Sequence, residues 1–176
     1  QRAHAESGKL LQIGLELRYA SPTRKMREWL PRLGALKLLT CEEFRPPFLP
    51  KRGLVNDWII KKRYTGGTLL EKNCHHFDLF NWFACARPVS AYASGDGLVE
   101  YAHTDILDNA FVTVEYENGV RAMLSLCLFA PKKVADSSLN ELEFGLIGNR
   151  GRLELRGDDV FVWDRETGAE ERWHYA

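Results

Sequence analysis

The sequence predicts an α+β fold, a largely antiparallel β-sheet with helices on one face. Three observations predict it. From about residue 88 onward the chain divides into short apolar and alternating runs separated by turn residues. Asn118-Gly119, between two such runs, is a strong two-residue hairpin signal, because both turn positions tolerate a positive φ. Ahead of these runs, the stretch from Gly66 through Trp82 reads as a helix.

In chain order, Ala3-His4-Ala5-Glu6-Ser7-Gly8 reads as the tail of a helix with a glycine stop. Residues 10 to 19 read as a strand, with Leu11, Ile13, Leu15 and Leu17 alternating. Ser21-Pro22 opens a helix that runs to about Leu33, with Pro31 ending it early or making it irregular. Leu36 to Phe44 reads as the first strand of the sheet. The prolines of Arg45-Pro46-Pro47-Phe48-Leu49-Pro50-Lys51-Arg52-Gly53 make it a loop, with Phe48 and Trp58 as candidates to border a pocket. Lys61-Lys62-Arg63 reads as a solvated loop. After the helix, candidate strands span Val89 to Leu98, Phe111 to Tyr116, Val120 to Phe129, Leu142 to Ile147, Arg152 to Arg156, Val160 to Asp164 and Glu170 to Tyr175. Short turns between them predict a meander.

On a continuous helix, Glu71, His75, Asp78 and Trp82 fall at i, i+4, i+7 and i+11, forming one stripe. A carboxylate one turn before a histidine and another one turn after it suit proton chemistry. The histidine exchanges a proton while the acids set its tautomer and charge. The pair Gly66-Gly67 suits a close approach by a ligand or another backbone. The same residue types also describe a solvated polar stripe, or a core histidine satisfied by its neighbours. A further alternative is a metal-dependent enzyme in which Glu71, His75 and Asp78 are ligands, with His76 nearby. No second ligand cluster supports it beyond His103-Thr104-Asp105 in a polar connector, so no metal is assigned. Cys74 lies beside His75, but adjacent helical residues point about 100° apart, a poor arrangement for a cysteine nucleophile.

The pattern Gly-Gly-x-Leu-x-acid-x-x-x-His-x-x-Asp-x-x-x-Trp resembles the signature helix of the Gfo/Idh/MocA family, the NAD(P)-dependent sugar and cyclitol oxidoreductases. Leu11-Gln12-Ile13-Gly14-Leu15-Glu16-Leu17-Arg18-Tyr19 with Ser21-Pro22 is similar to the end of that family's cofactor domain. Glu115-Tyr116-Glu117-Asn118-Gly119 and Ile147-Gly148-Asn149-Arg150-Gly151-Arg152-Leu153 resemble two of its hairpins. The resemblance implies that His75 is the acid/base at a substrate hydroxyl or carbonyl, Glu71 its carboxylate partner and Asp78 an orienting residue behind them. It places Arg18, Gly66 and Gly67 near substrate or cofactor, and it implies a catalytic lysine on a separate cofactor domain. It also implies a homo-oligomer formed through the open face of the sheet, for which Val112, Val114, Met123, Leu124, Leu126 and Leu128 offer apolar surface, although any one of them is better placed in the monomer core. Two departures stand out. The first carboxylate is Glu71 where the family more often has Asp, and Lys72 has no assigned role; Asn73 follows it, so Glu71-Lys72 is not the family's Glu-Lys-Pro.

No GxGxxG follows a predicted strand; the nearest approach is Gly95-Asp96-Gly97. The NAD or NADP site is therefore expected mostly outside this chain. Residues 1–34 are expected to be the end of a dinucleotide-binding domain, and 35–176 an α+β substrate-binding and oligomerisation domain. The C-terminus falls within or just after a strand at Trp173-His174-Tyr175-Ala176. The intact protein would move a hydride between nicotinamide and a secondary alcohol of a sugar, cyclitol or related compound, while this chain alone would be inactive. The alternative is a non-enzymatic dimerisation or ligand-binding module of the same fold.

Composition narrows the partners. Lys plus Arg equals Asp plus Glu at 24 each, so the formal net charge of zero makes no case for nucleic acid or an anionic membrane. No run reaches the roughly 18 apolar residues of a membrane span. Cys41, Cys74, Cys85 and Cys127 lack CxxC spacing and read as buried thiols of a cytoplasmic protein.

Overall fold

The computed structural model of the protein describes residues 2–47, 58–131 and 142–175. The elements are α1 (Arg2–Ser7), a 3₁₀ turn at Glu16–Tyr19, α2 (Ser21–Trp29) with a 3₁₀ turn at Leu30–Leu33, and β1 (Leu36–Phe44). Three helices follow, α3 (Lys62–Thr65), α4 (Thr68–Glu71) and α5 (Cys74–Ala84). The remaining strands are β2 (Pro88–Asp96), β3 (Asn109–Tyr116), β4 (Arg121–Cys127), β5 (Leu142–Gly148), β6 (Gly151–Arg156), β7 (Asp159–Asp164) and β8 (Glu170–His174).

All eight strands form one sheet in the order β2-β3-β4-β1-β5-β6-β7-β8. It is not a simple meander. β1 sits in the middle, parallel to β4 and antiparallel to β5, and the other neighbours are antiparallel. Alternation along a strand says which face is buried, not which distant strand lies beside it. β1 takes the central place with Leu39 and Cys41 buried beneath the helices.

One face carries the core. Ala110, Val112, Val114 and Tyr116 point inward from β3, and Ala122, Leu124 and Leu126 do so from β4. Helix α5 packs over β1 and buries Leu79, Phe80 and Phe83 in the same core, with the Phe80 and Phe83 rings each 5.5 Å from that of Phe144 on β5. Helix α2 packs Met26 and Trp29 over β6 and β7. Gly148 has to be glycine, because a Cβ there would run into the Leu33 carbonyl of the 3₁₀ turn that follows α2. The opposite face exposes Leu38, Tyr92, Phe111 and Met123, while Ser125 and Glu154 on it are buried. Of the apolar residues weighed between that face and the core, Val112, Val114, Leu124, Leu126 and Leu128 fill the core, as favoured for each, and Met123 lies on the face.

Three expectations are corrected. Residues 10–15 form no strand, and 16–19 form a 3₁₀ turn. Leu10, Leu11 and Ile13 are exposed, and among the described residues no strand runs beside them to take their backbone hydrogen bonds. Lys62 and Arg63 belong to the short helix α3, not to a loop. The four cysteines are free, but only Cys41 is buried and Cys85 is exposed at a left-handed helix cap. Phe48 and most of the proline-rich loop lie outside the described residues, while Trp58 is exposed. Among the described residues no helix is long and apolar enough to cross a membrane.

Candidate functional site

The run from Gly66 to Trp82 is two helices with a joint, not one. Gly66, at φ +79°, caps α3 by donating its N–H to the Lys62 carbonyl at 2.7 Å, and a Cβ on it would strike Leu70. Gly67, at φ +95°, begins α4. The glycine pair is thus accounted for by a backbone reversal. Thr68, buried, anchors α4 by donating its hydroxyl to the Leu107 carbonyl at 2.6 Å. The chain then turns at Lys72 and Asn73 before α5 starts at Cys74.

Asn73 explains the joint. Its side chain is fully buried and donates through Nδ2 to Glu43 Oε2 on β1 at 2.9 Å, with the His76 Nδ1 also 3.1 Å away. Asparagine competes well with helical bonding when its amide has another partner, and here β1 provides one. The break destroys the register between Glu71 and the residues after it. Glu71 and His75 share no hydrogen bond or ion pair, so the expected Glu71–His75 pairing is absent. Glu71 instead lines a small cavity with Ile60, Thr68, Lys72, Tyr101 and Leu128.

His75 projects from the first turn of α5 with its side chain 23% exposed. Its Nδ1 is buried and makes no hydrogen bond, and it lies 3.4 Å from Glu16 Oε2 in the 3₁₀ turn ahead of α2. One turn along α5, Asp78 receives two hydrogen bonds from Arg18, Nε to Oδ2 and Nη2 to Oδ1, each 2.5 Å long. Asp78 therefore binds the 3₁₀ turn and shares no hydrogen bond or ion pair with His75, and Arg18 is engaged by Asp78. The Arg18 guanidinium is held above its usual range by that hydrogen bond, against the opposing effect of burial. Trp82 continues the same side of α5. Arg18 and Arg27 lie 5.8 and 5.5 Å from its ring centre, and Arg27 Nη1 donates to its carbonyl at 2.9 Å.

Behind this surface lies a buried polar network. Glu43, 2% exposed, is the acceptor for Asn73 and lies 3.7 Å from Lys72 Nζ and 3.8 Å from Arg45 Nη1. Burial raises the Glu43 carboxyl above its ordinary range, and the charges of Lys72 and Arg45 pull it back. His76, 3% exposed, has its pKa pushed down to about 3 by burial, with the Lys72 charge adding. It is a neutral core histidine. Glu71, His75 and Asp78 do not converge on a point, and among the described residues no group of three or more acidic, histidine or cysteine side chains is placed to hold a metal.

Sequence reasoning missed Glu16, Glu43 and Asn73. Glu16 was hidden because the alternation around it reads as a strand. Asn73 could have been flagged as a poor helix former inside a proposed helix.

A mostly antiparallel sheet with helices on one face, and a histidine-bearing helix packed at its centre, defines a two-layer α+β domain. Residues 23–154 match the model of the GFO/IDH/MocA C-terminal domain, and the chain belongs to that family. No match was found among curated proteins. Among solved structures, the fold is similar to a UDP-N-acetylglucosamine 3-dehydrogenase from Acidithiobacillus ferrooxidans, 20% identical, with a TM-score of 0.69 over 98% of this chain and 49% of that one. It is similar to an oxidoreductase from Agrobacterium radiobacter solved with NAD+, L-tartaric acid and magnesium, 13% identical, with a TM-score of 0.75 over 98% and 48%. It is also similar to the super-repressor mutant of Gal80p from Saccharomyces cerevisiae, 16% identical, with a TM-score of 0.76 over 99% and 48%. The chain spans about half the length of these structures.

Proposed function

We propose that this chain is the substrate-binding and oligomerisation domain of an NAD(P)-dependent oxidoreductase acting on a secondary alcohol of a sugar, cyclitol or related compound. In this reading residues 1–34 are the end of a dinucleotide-binding domain and 35–176 the substrate domain. The observation that carries it is His75, a half-sheltered imidazole on the family's signature helix, with a buried Nδ1 facing a carboxylate and part of the ring in solvent. Family membership supports a nicotinamide cofactor. The sequence carries no GxGxxG motif to cradle a pyrophosphate, and in this reading the dinucleotide site lies mostly outside these residues.

The nicotinamide, when bound, exchanges a hydride with the alcohol carbon. What this chain contributes is the proton and the frame around it. His75 takes the hydroxyl proton during oxidation and returns it during reduction. Asp78 and Arg18 hold the 3₁₀ turn against α5, while Glu43 and Asn73 hold the start of α5 on the sheet. The test is nicotinamide-linked oxidation of a panel of sugars and cyclitols by the intact protein. Turnover is expected there and absent from residues 1–176 alone; turnover by the isolated chain contradicts the reading.

One observation favours a second reading. Because Glu71 turns away from His75, the carboxylate–histidine pair implied by the resemblance is not formed, as expected of a non-enzymatic binding or dimerisation module. An intact protein that binds NAD(P) or sugar but shows no turnover across the panel would establish it. In either case the open sheet face, with Leu38, Tyr92, Phe111 and Met123 exposed, is the proposed contact between copies.

A further inference from the structure

We propose that Glu16, and not Glu71, is the carboxylate that sets the tautomer of His75; its meaning for catalysis rests on the reading of His75 as the acid/base. The starting point is the buried Nδ1 of His75, which makes no hydrogen bond. A buried ring nitrogen without a partner is costly, so the nearest strong acceptor decides which nitrogen carries the proton. Three carboxylates are close in sequence or space, and two are excluded. Glu71 lines a cavity beyond the Lys72–Asn73 joint, and both oxygens of Asp78 are occupied by Arg18. Glu16 Oε2 stands 3.4 Å from Nδ1.

That distance is roughly half an ångström or more longer than a charge-assisted hydrogen bond. The Glu16 side chain is 69% exposed, which leaves it rotational freedom to close on the ring. The backbone that carries it is pinned. Arg18, two residues on in the same turn, is clamped to Asp78 on α5. The Thr23 hydroxyl bonds the carbonyls of Leu17 and Ala20, and Arg27 bonds the Trp82 carbonyl. The turn thus delivers Glu16 to the first turn of α5 as a positioning residue.

With the proton on Nδ1 and shared with Glu16, the lone pair of Nε2 is left to act. When a substrate hydroxyl is oxidised, its O–H bond breaks, the proton passes to Nε2, and the electron pair stays on oxygen to form the carbonyl as the hydride leaves for the nicotinamide. The imidazolium that results is stabilised by the Glu16 charge, and on the return step Nε2 gives the proton back. In the other tautomer Nε2 carries the proton and cannot accept a second.

The experiment is nitrogen-15 spectroscopy of the histidine rings in the 176-residue chain at a pH where they are neutral, with His75 assigned by its loss in His75→Gln. In the unaltered protein the Nδ1–H form of His75 is expected to dominate. In Glu16→Ala and Glu16→Gln the ratio of Nδ1–H to Nε2–H is expected to fall about 3- to 10-fold. In Glu71→Gln it is expected to hold. Backbone amide spectra confirm folding, and Glu16→Gln keeps the side-chain shape if the alanine variant does not fold. A dominant Nε2–H form in the unaltered protein overturns the proposal. So does a ratio that survives both Glu16 changes, or one that moves in Glu71→Gln. No substrate enters the measurement, so a failure of the oxidoreductase reading would leave this result standing, and the reverse also holds.

Discussion

Arg18 and Asp78, 60 residues apart in the chain, meet as a two-point clasp with both hydrogen bonds at 2.5 Å, and Asp78 is the more enclosed partner at 12% side-chain exposure. The clasp joins the turn before α2 to the middle of α5, two segments that no strand pairing connects. A bidentate guanidinium–carboxylate contact of this kind is directional as well as attractive. In a double-mutant cycle of Arg18→Ala and Asp78→Ala, followed by urea unfolding, the coupling is expected at about 1–2 kcal/mol, reduced from the fully buried case because Arg18 is 37% exposed. Strictly additive single changes would show that the clasp contributes nothing.

His76 predicts acid sensitivity. Its folded-state pKa of about 3 lies below the ordinary 6.5, so the unfolded chain binds a proton that the folded chain refuses. The associated stability is complete above 6.5 and is lost as pH falls from there toward 3, by up to about 1.4 kcal/mol per unit. Glu43 acts with the opposite sign. Its raised pKa lets the folded state take up a proton first, so its contribution favours folding as pH falls through that range. Comparing urea midpoints of His76→Gln with the unaltered protein at pH 7 and pH 5 isolates the histidine. The variant should lose less stability on acidification, and equal losses would contradict the assignment.

Asp108 organises the loop between β2 and β3. It is fully buried and accepts hydrogen bonds from the N–H groups of Leu98, Val99, Glu100 and Tyr101 at 2.8 to 3.1 Å. Burial alone would raise its pKa, but these bonds outweigh it and hold the carboxyl at about 2. Its stabilisation is present above the ordinary carboxylate pKa and is lost as pH falls through about 2. Asp108→Asn is expected to cost roughly 2–3 kcal/mol at pH 7, measured by urea unfolding. A change within the scatter of surface substitutions would refute the role.

The open face of the sheet predicts association. Phe111 is 64% exposed and Met123 38%, on neighbouring strands of that face. Phe111→Asp with Met123→Glu should shift sedimentation toward a smaller species while leaving the unfolding midpoint of the monomer nearly unchanged. An unaltered sedimentation profile would remove this face from the assembly.

The strands were readable because one face of each is buried. The alternation of Val112, Val114 and Tyr116 with exposed neighbours, and the turn at Asn118-Gly119, place β3 and β4 within a residue or two. The central position of β1 was not readable, since its pairing with β4 joins segments more than eighty residues apart (Leu38 with Arg121) and no local pattern encodes it. Residues 10–19 alternate as a strand would, but a period of two needs a neighbouring strand to become one. The site was half legible. His75 and Asp78 stand out in sequence, but the helix that was to align Glu71 with them is broken by Asn73, whose partner Glu43 lies 30 residues earlier on another element. Glu16 reaches His75 only because the Arg18–Asp78 clasp folds its turn onto α5, a tertiary event that spacing does not show.

The most direct test of the central claim is turnover of the intact protein carrying His75→Ala, compared with the unaltered protein and with His76→Gln, its buried neighbour. Loss of the acid/base should lower turnover by roughly 10²–10⁴-fold in His75→Ala, with the fold and substrate binding retained, while His76→Gln stays within about tenfold. Undiminished turnover in His75→Ala would contradict the account.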